Sequence, residues 1–160
     1  MDNPKVLYIG SDKEHRARAE FEKEHIPITF APTATPGLEQ LAYQWDLILL
    51  ERKIPACEMI PPCADDEFKR LSVKEFPIDE LSMYLLRRIR EEGSLNRKTT
   101  VIGVINKPKH SLEAIEFRVS AKQRGVFLFY HFPGGMDIGA PPKDTYSQMA
   151  ADISKLLQEK

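Results

Sequence analysis

At 160 residues, with 42% apolar and 29% charged side chains, the chain has the size and composition of one soluble globular domain with its own core. Its 23 basic and 24 acidic residues leave a formal net charge of −1, which excludes the basic surplus typical of nucleic-acid-binding proteins. Apolar runs such as Leu47 to Leu50 and Val126 to Tyr130 are too short to cross a bilayer. The opening Met1-Asp2-Asn3-Pro4-Lys5 lacks the layout of a signal peptide, so a cytoplasmic protein is expected.

Lys5 to Ile9 is a short β-rich run that stops at Gly10. Asp12 then suits a helix N-cap, and the charged stretch behind it offers Ala17 and Phe21 as an apolar face. Ile28 to Ala31 reads as a second strand. Pro36-Gly37 predicts a turn, followed by a short helix with Leu38, Leu41 and Ala42 on one side. Asp46 to Leu50 is an acid followed by a continuous apolar run, the mark of a strand buried on both faces.

Further on, Ile78, Leu81, Leu85 and Ile89 recur at helical spacing after Pro77 and before Gly93. Thr100 to Ile105 forms a fourth strand. Ser111 to Arg124 predicts a helix with Leu112, Ile115 and Val119 as its apolar face, ended by Gly125. Val126 to Phe132 is a fifth strand. After a Gly/Pro-rich loop at 133–142, Asp144 caps a last helix carrying Tyr146, Met149, Ile153 and Leu156. Five strands alternating with five helices imply a parallel sheet covered on both faces, because parallel neighbours need crossover connections.

Few residues are suited to metal or sulfur chemistry. Cys57 and Cys63 are the two cysteines, and His15, His25, His110 and His131 are scattered singly, so neither a zinc site nor any other metal or cofactor is expected.

Lys5 to Ile9 with Gly10-Ser11-Asp12, and Asp46 to Glu51 with Pro55 four residues on, resemble the first and third strands of bacterial response-regulator receivers, the CheY-like domains. Leu85 to Arg90 is similar to the end of that family's third helix. Gly125 precedes Phe132-Pro133 as a glycine precedes the family's Lys-Pro. The resemblance covers most of residues 4–160. It implies a single domain over 1–160 with a flavodoxin-like doubly wound sheet of strand order 2-1-3-4-5.

Receiver chemistry needs clustered carboxylates for Mg²⁺, an Asp nucleophile, a Ser/Thr hydroxyl and a Lys, because the transferred phosphoryl group carries charge that must be balanced. The resemblance places other residues at nearly every one of those positions. Gly10 and Ser11 replace the paired acids, and Asp12 aligns with a third acid. Glu51 stands at the phosphoacceptor, Ile105 at the switch hydroxyl followed by Asn106, and Phe132 at the Lys. A degenerate cleft follows, and with it a pseudo-receiver that is not an enzyme. Glu51 then reads either as a fixed mimic of a phosphorylated Asp or, preferred here, as a solvated acid beside Arg52 or Lys53.

Function is expected in binding. The resemblance implies a protein partner in a two-component system (a sensor kinase, another regulator or a scaffold) or self-association. It places contacts on the fourth helix, fifth strand and fifth helix, with Phe129 as the aromatic switch residue. The stretch at 55–77, an insertion relative to the family, holds Cys57, Cys63 and Phe68. It reads as a lid over the cleft, a partner-recognition loop or a redox element. The alternative is a small-molecule-binding or enzymatic flavodoxin-like domain, with Ser11, Asp12, Asn106 and His131 furnishing polar groups at the strand ends.

Overall fold

Every residue of the first strand, Val6–Ile9 (β1), is buried, because other strands flank it and helices cover both faces. The computed structural model describes residues 3–10, 14–54, 81–105, 107, 109–131 and 142–159. In chain order β1 is followed by α1 (Glu14–Lys23), β2 (Ile28–Ala31), α2 (Ala34–Gln40) and β3 (Leu47–Glu51). Then come α3 (Leu81–Arg90), β4 (Thr100–Ile105), α4 (Leu112–Lys122), β5 (Leu128–His131) and α5 (Pro142–Gln158). The strands form one parallel sheet in the order β2-β1-β3-β4-β5, a flavodoxin-like arrangement. Among the described residues no helix is long and apolar enough to cross a membrane.

Alternation along the strands divides the core in two. Val6, Tyr8, Leu47, Leu49, Ile102 and Val104 face α1 and α5, where Ala17, Phe21, Tyr146, Met149 and Ile153 complete the packing. Leu7, Ile9, Ile48, Leu50, Val101 and Ile105 face α2, α3 and α4. Side chains two apart on a strand share a face, so each core residue points toward its layer by parity alone.

At the N-terminal end of the sheet the chain is tied by buried and half-buried polar groups. Asn96 is fully buried; its Oδ1 accepts from Trp45 N at 2.9 Å and its Nδ2 donates to the Tyr43 carbonyl at 2.8 Å. Arg90 donates to the carbonyls of Thr99 at 2.7 Å, Arg97 at 2.8 Å and Arg124 at 3.0 Å. These bonds join the turns after α2, α3 and α4.

Three sequence expectations are corrected. Pro36-Gly37 lies inside α2 and makes no turn: the first helical turn has no use for a Pro N–H, and Gly37 N closes the first helical bond onto the Thr33 carbonyl at 3.1 Å. Ala42 consequently falls in the exposed turn after the helix. Asp144 lies within α5, which starts at Pro142.

The third correction concerns α4, which buries Ala114, Phe117 and Ala121 and turns Leu112, Ile115 and Val119 to solvent. The two sets are offset by two residues, about 200° around a helix, so they lie on opposite faces. The buried face is chosen by fit to β4. A Cβ on Gly103 would come within 2.6 Å of the Phe129 ring and 3.2 Å of the Phe117 ring, so the bare glycine makes room for both. Ser111 fixes the start of the helix, its side chain accepting from Ala114 N.

Candidate functional site

In a doubly wound sheet the site lies beyond the C-terminal ends of the central strands. Here β1 delivers Gly10, β3 delivers Glu51 and Arg52, and β4 delivers Ile105. Parity puts Tyr8 and Glu51 on the same face, and the register pairs Tyr8 with Leu49 and Ile9 with Leu50, which sets Gly10 level with Glu51.

Glu51 is 1% exposed. The Tyr8 hydroxyl, itself buried, donates to Glu51 Oε1 at 2.6 Å, within the short range of hydroxyl–carboxylate bonds. A side chain on Gly10 would overlap Cγ, Cδ and Oε2 of Glu51. The carboxyl group therefore lies across the bare Cα of residue 10, folded back against β1. This corrects the expectation of a solvated acid, since the carboxyl group is buried. The reason is length and vacancy together: Glu is one methylene longer than Asp, and the absent side chain at residue 10 leaves room for it to turn inward onto Tyr8.

Ile105, at the end of β4, is fully buried in the layer beneath α4. Arg52 is buried, and its backbone N–H continues the strand pairing to the Val104 carbonyl at 2.8 Å. Among the described residues no group of three or more His, Cys, Asp or Glu side chains is placed to hold a metal ion. Ser11, Asp12, Asn106 and Phe132 lie outside the described residues, as do Cys57, Cys63, Phe68 and the rest of the 55–77 insertion. An open groove of about 420 Å³, lined by Pro4, Pro27, Thr29 and Trp45 among others, sits at the opposite end of β1, away from this cleft.

At the β5 edge, Phe129 is half-buried. It packs edge-on against Phe117, ring centres 6.2 Å apart and planes at 82°, over Gly103, so the expected partner-facing ring points beneath α4. Tyr130, on the other face, donates to Asp152 Oδ2 at 2.8 Å, and burial followed by that acidic partner raises its pKa. Outside this packing Leu112 (67% exposed), Ile115, Val119, Phe127 (75%) and Leu128 present large apolar groups to solvent. Where β5 ends, Arg118 Nη1 lies 3.1 Å from His131 Nε2. Burial, then the charge of Arg118, lowers the His131 pKa.

Sequence reasoning assembled Gly10, Glu51 and Ile105 at one end of the sheet, and the structure places them there. It did not single out Tyr8 or Arg118, and it did not foresee that Leu112, Ile115 and Val119 face outward from α4. The signal for Tyr8 was present: a hydroxyl-bearing residue two before Gly10 must share its face.

The architecture has many solved counterparts. A CheY-like response-regulator receiver domain protein from Methanospirillum hungatei matches over 99% of this chain and 100% of its own, with a TM-score of 0.60 and 17% identity. The receiver domain of Francisella response regulator 1452 matches over 97% and 99%, at 0.58 and 18%. Chemotaxis response regulator CheY4 of Vibrio cholerae matches over 95% and 99%, at 0.60 and 12%. The chain thus has the CheY-like receiver fold. No protein-family model matches the chain. No curated protein matches it in sequence.

Proposed function

We propose that this chain is a phosphorylation-independent pseudo-receiver, a single domain with an insertion at 55–77, that acts in bacterial signal transduction by binding protein. The observation that carries this reading is the buried Glu51 carboxyl, held by Tyr8 and seated on Gly10. An in-line attack needs the carboxylate oxygen free in a cleft beside a cation, with room for the phosphoryl oxygens. Glu51 is instead buried, its carboxyl bonded to Tyr8 and lying across Gly10. The space where a first-strand acid would begin is filled by the phosphoacceptor-position residue itself.

With chemistry closed off, the apolar outer stripe of α4 with Phe127 and Leu128 beside it is the docking face. Exposed apolar groups gathered on one surface mark binding sites more often than single ones do. Its partner is a protein of a two-component system or a second copy of the chain. The likeness to CheY4 of Vibrio cholerae, a chemotaxis response regulator, supports a signalling setting.

Acetyl phosphate with Mg²⁺, followed by intact-mass measurement, tests the reading. An unchanged mass is expected, and a phosphoryl adduct mapped to Glu51 would overturn it.

A further inference from the structure

The end of β5 and the inner flank of α4 are joined by one polar contact that the cleft does not use. Arg118, on α4, directs Nη1 both to the Lys109 carbonyl at 2.8 Å and to His131 Nε2 at 3.1 Å. Guanidinium groups only donate, so Nε2 must be the acceptor and the ring must be neutral with its proton on Nδ1. That Nδ1 is buried, and the backbone of Lys107 lies within reach of the ring as an acceptor. His131 is paired in register with Ile105 on one side only, since β5 is the sheet edge.

We propose that Arg118 and His131 form an acid-sensitive latch between α4 and β5. Protonating Nε2 removes the lone pair that Arg118 uses and sets two cations at contact distance. The charged groups around the ring make this worse: Arg118 comes from α4, while Lys109 and His110 come from the β4–α4 connection, and all three disfavour the imidazolium. Only the backbone of Lys107 favours it. No carboxylate contributes among the described residues. Acid therefore separates Arg118 from His131, while Phe117, Ala114 and Ala121 keep the helix on the sheet. What loosens is the anchoring of α4 to the strand end, and with it the seating of the outer stripe. The consequence for binding rests on the docking reading above; the latch itself does not.

Histidine ring and backbone NMR, followed between about pH 8 and pH 5, provides the test. In the wild-type chain the His131 ring should titrate below 6.5, and the amides of Ala114 and Arg118 should shift with the same midpoint. Arg118→Met should raise that midpoint toward 6.5, and in His131→Gln those amides should no longer move with it. A wild-type midpoint at or above 6.5, or the same amide titration persisting in His131→Gln, would overturn the latch. Neither readout involves a partner. A chain that titrates as described but docks nothing through α4 therefore loses only the docking reading.

Discussion

The end of β1 and β3 and the outer face of α4 handle their side chains in opposite ways. At the strand ends a charged residue is drawn inward: Glu51 is 1% exposed, bonded to Tyr8 and pressed on Gly10. On α4 the larger aliphatic residues are turned outward, while two alanines and one phenylalanine are buried. Neither arrangement follows from polarity alone. In both places the shape of the neighbouring strand decides, through a missing side chain: Gly10 admits the Glu51 carboxyl, and Gly103 admits Phe117 and Phe129. The end of β3 is filled from within, and α4 keeps an exposed apolar face.

The sharpest way to break this comparison lies on α4. Phe117→Ala should cost about 3–5 kcal/mol in urea unfolding, as buried aromatic truncations do. Ile115→Ala, on the outer face, should stay within about 0.5 kcal/mol. Equal costs would mean that the two faces are not distinct.

Tyr8→Phe comes next, with an expected loss of about 1.5–3 kcal/mol, because it removes the donor from a buried carboxyl group. If the equilibrium stability were unchanged, the hydrogen bond would not be holding Glu51.

Gly10→Ala should cost about 1–3 kcal/mol from overlap with Glu51, and most of that cost should vanish in a Glu51→Ala background. Additive costs in the double-mutant cycle would show that the two residues do not share one space.

The smallest expected effect is on pH. The folded-state pKa of His131 is lowered from 6.5, so the folded state prefers the neutral ring. Its contribution to stability is present in full above 6.5 and is lost as pH falls through the lowered value. His131→Gln should flatten that part of the stability profile.

Much of the fold was legible because its signals are local and redundant. The five strands are short apolar runs, and their alternation with helical segments leaves few topologies. The meeting of Gly10, Glu51 and Ile105 at the strand ends was also readable, since each closes or follows a short apolar run. Two things were not. On α4, Leu112, Ile115 and Val119 are bulkier than Ala114 and Ala121, so a hydrophobicity pattern chooses the outer face; only contact with Gly103 reverses that choice. At Glu51 the sequence shows an acid at a strand end, which is ordinarily solvated. Its burial depends on a tyrosine 43 residues earlier in the chain and on empty space at Gly10. Both depend on contacts between strands, which no single stretch of sequence carries.

The most direct measurement is the ¹³C resonance of the Glu51 carboxyl in labelled protein. It should move in Tyr8→Phe and stay fixed when Mg²⁺ and beryllofluoride, a phosphoryl analogue, are added to the wild-type chain. A Glu51 carboxyl that answers to Mg²⁺ and beryllofluoride, and ignores the loss of the Tyr8 hydroxyl, would contradict a cleft closed from within.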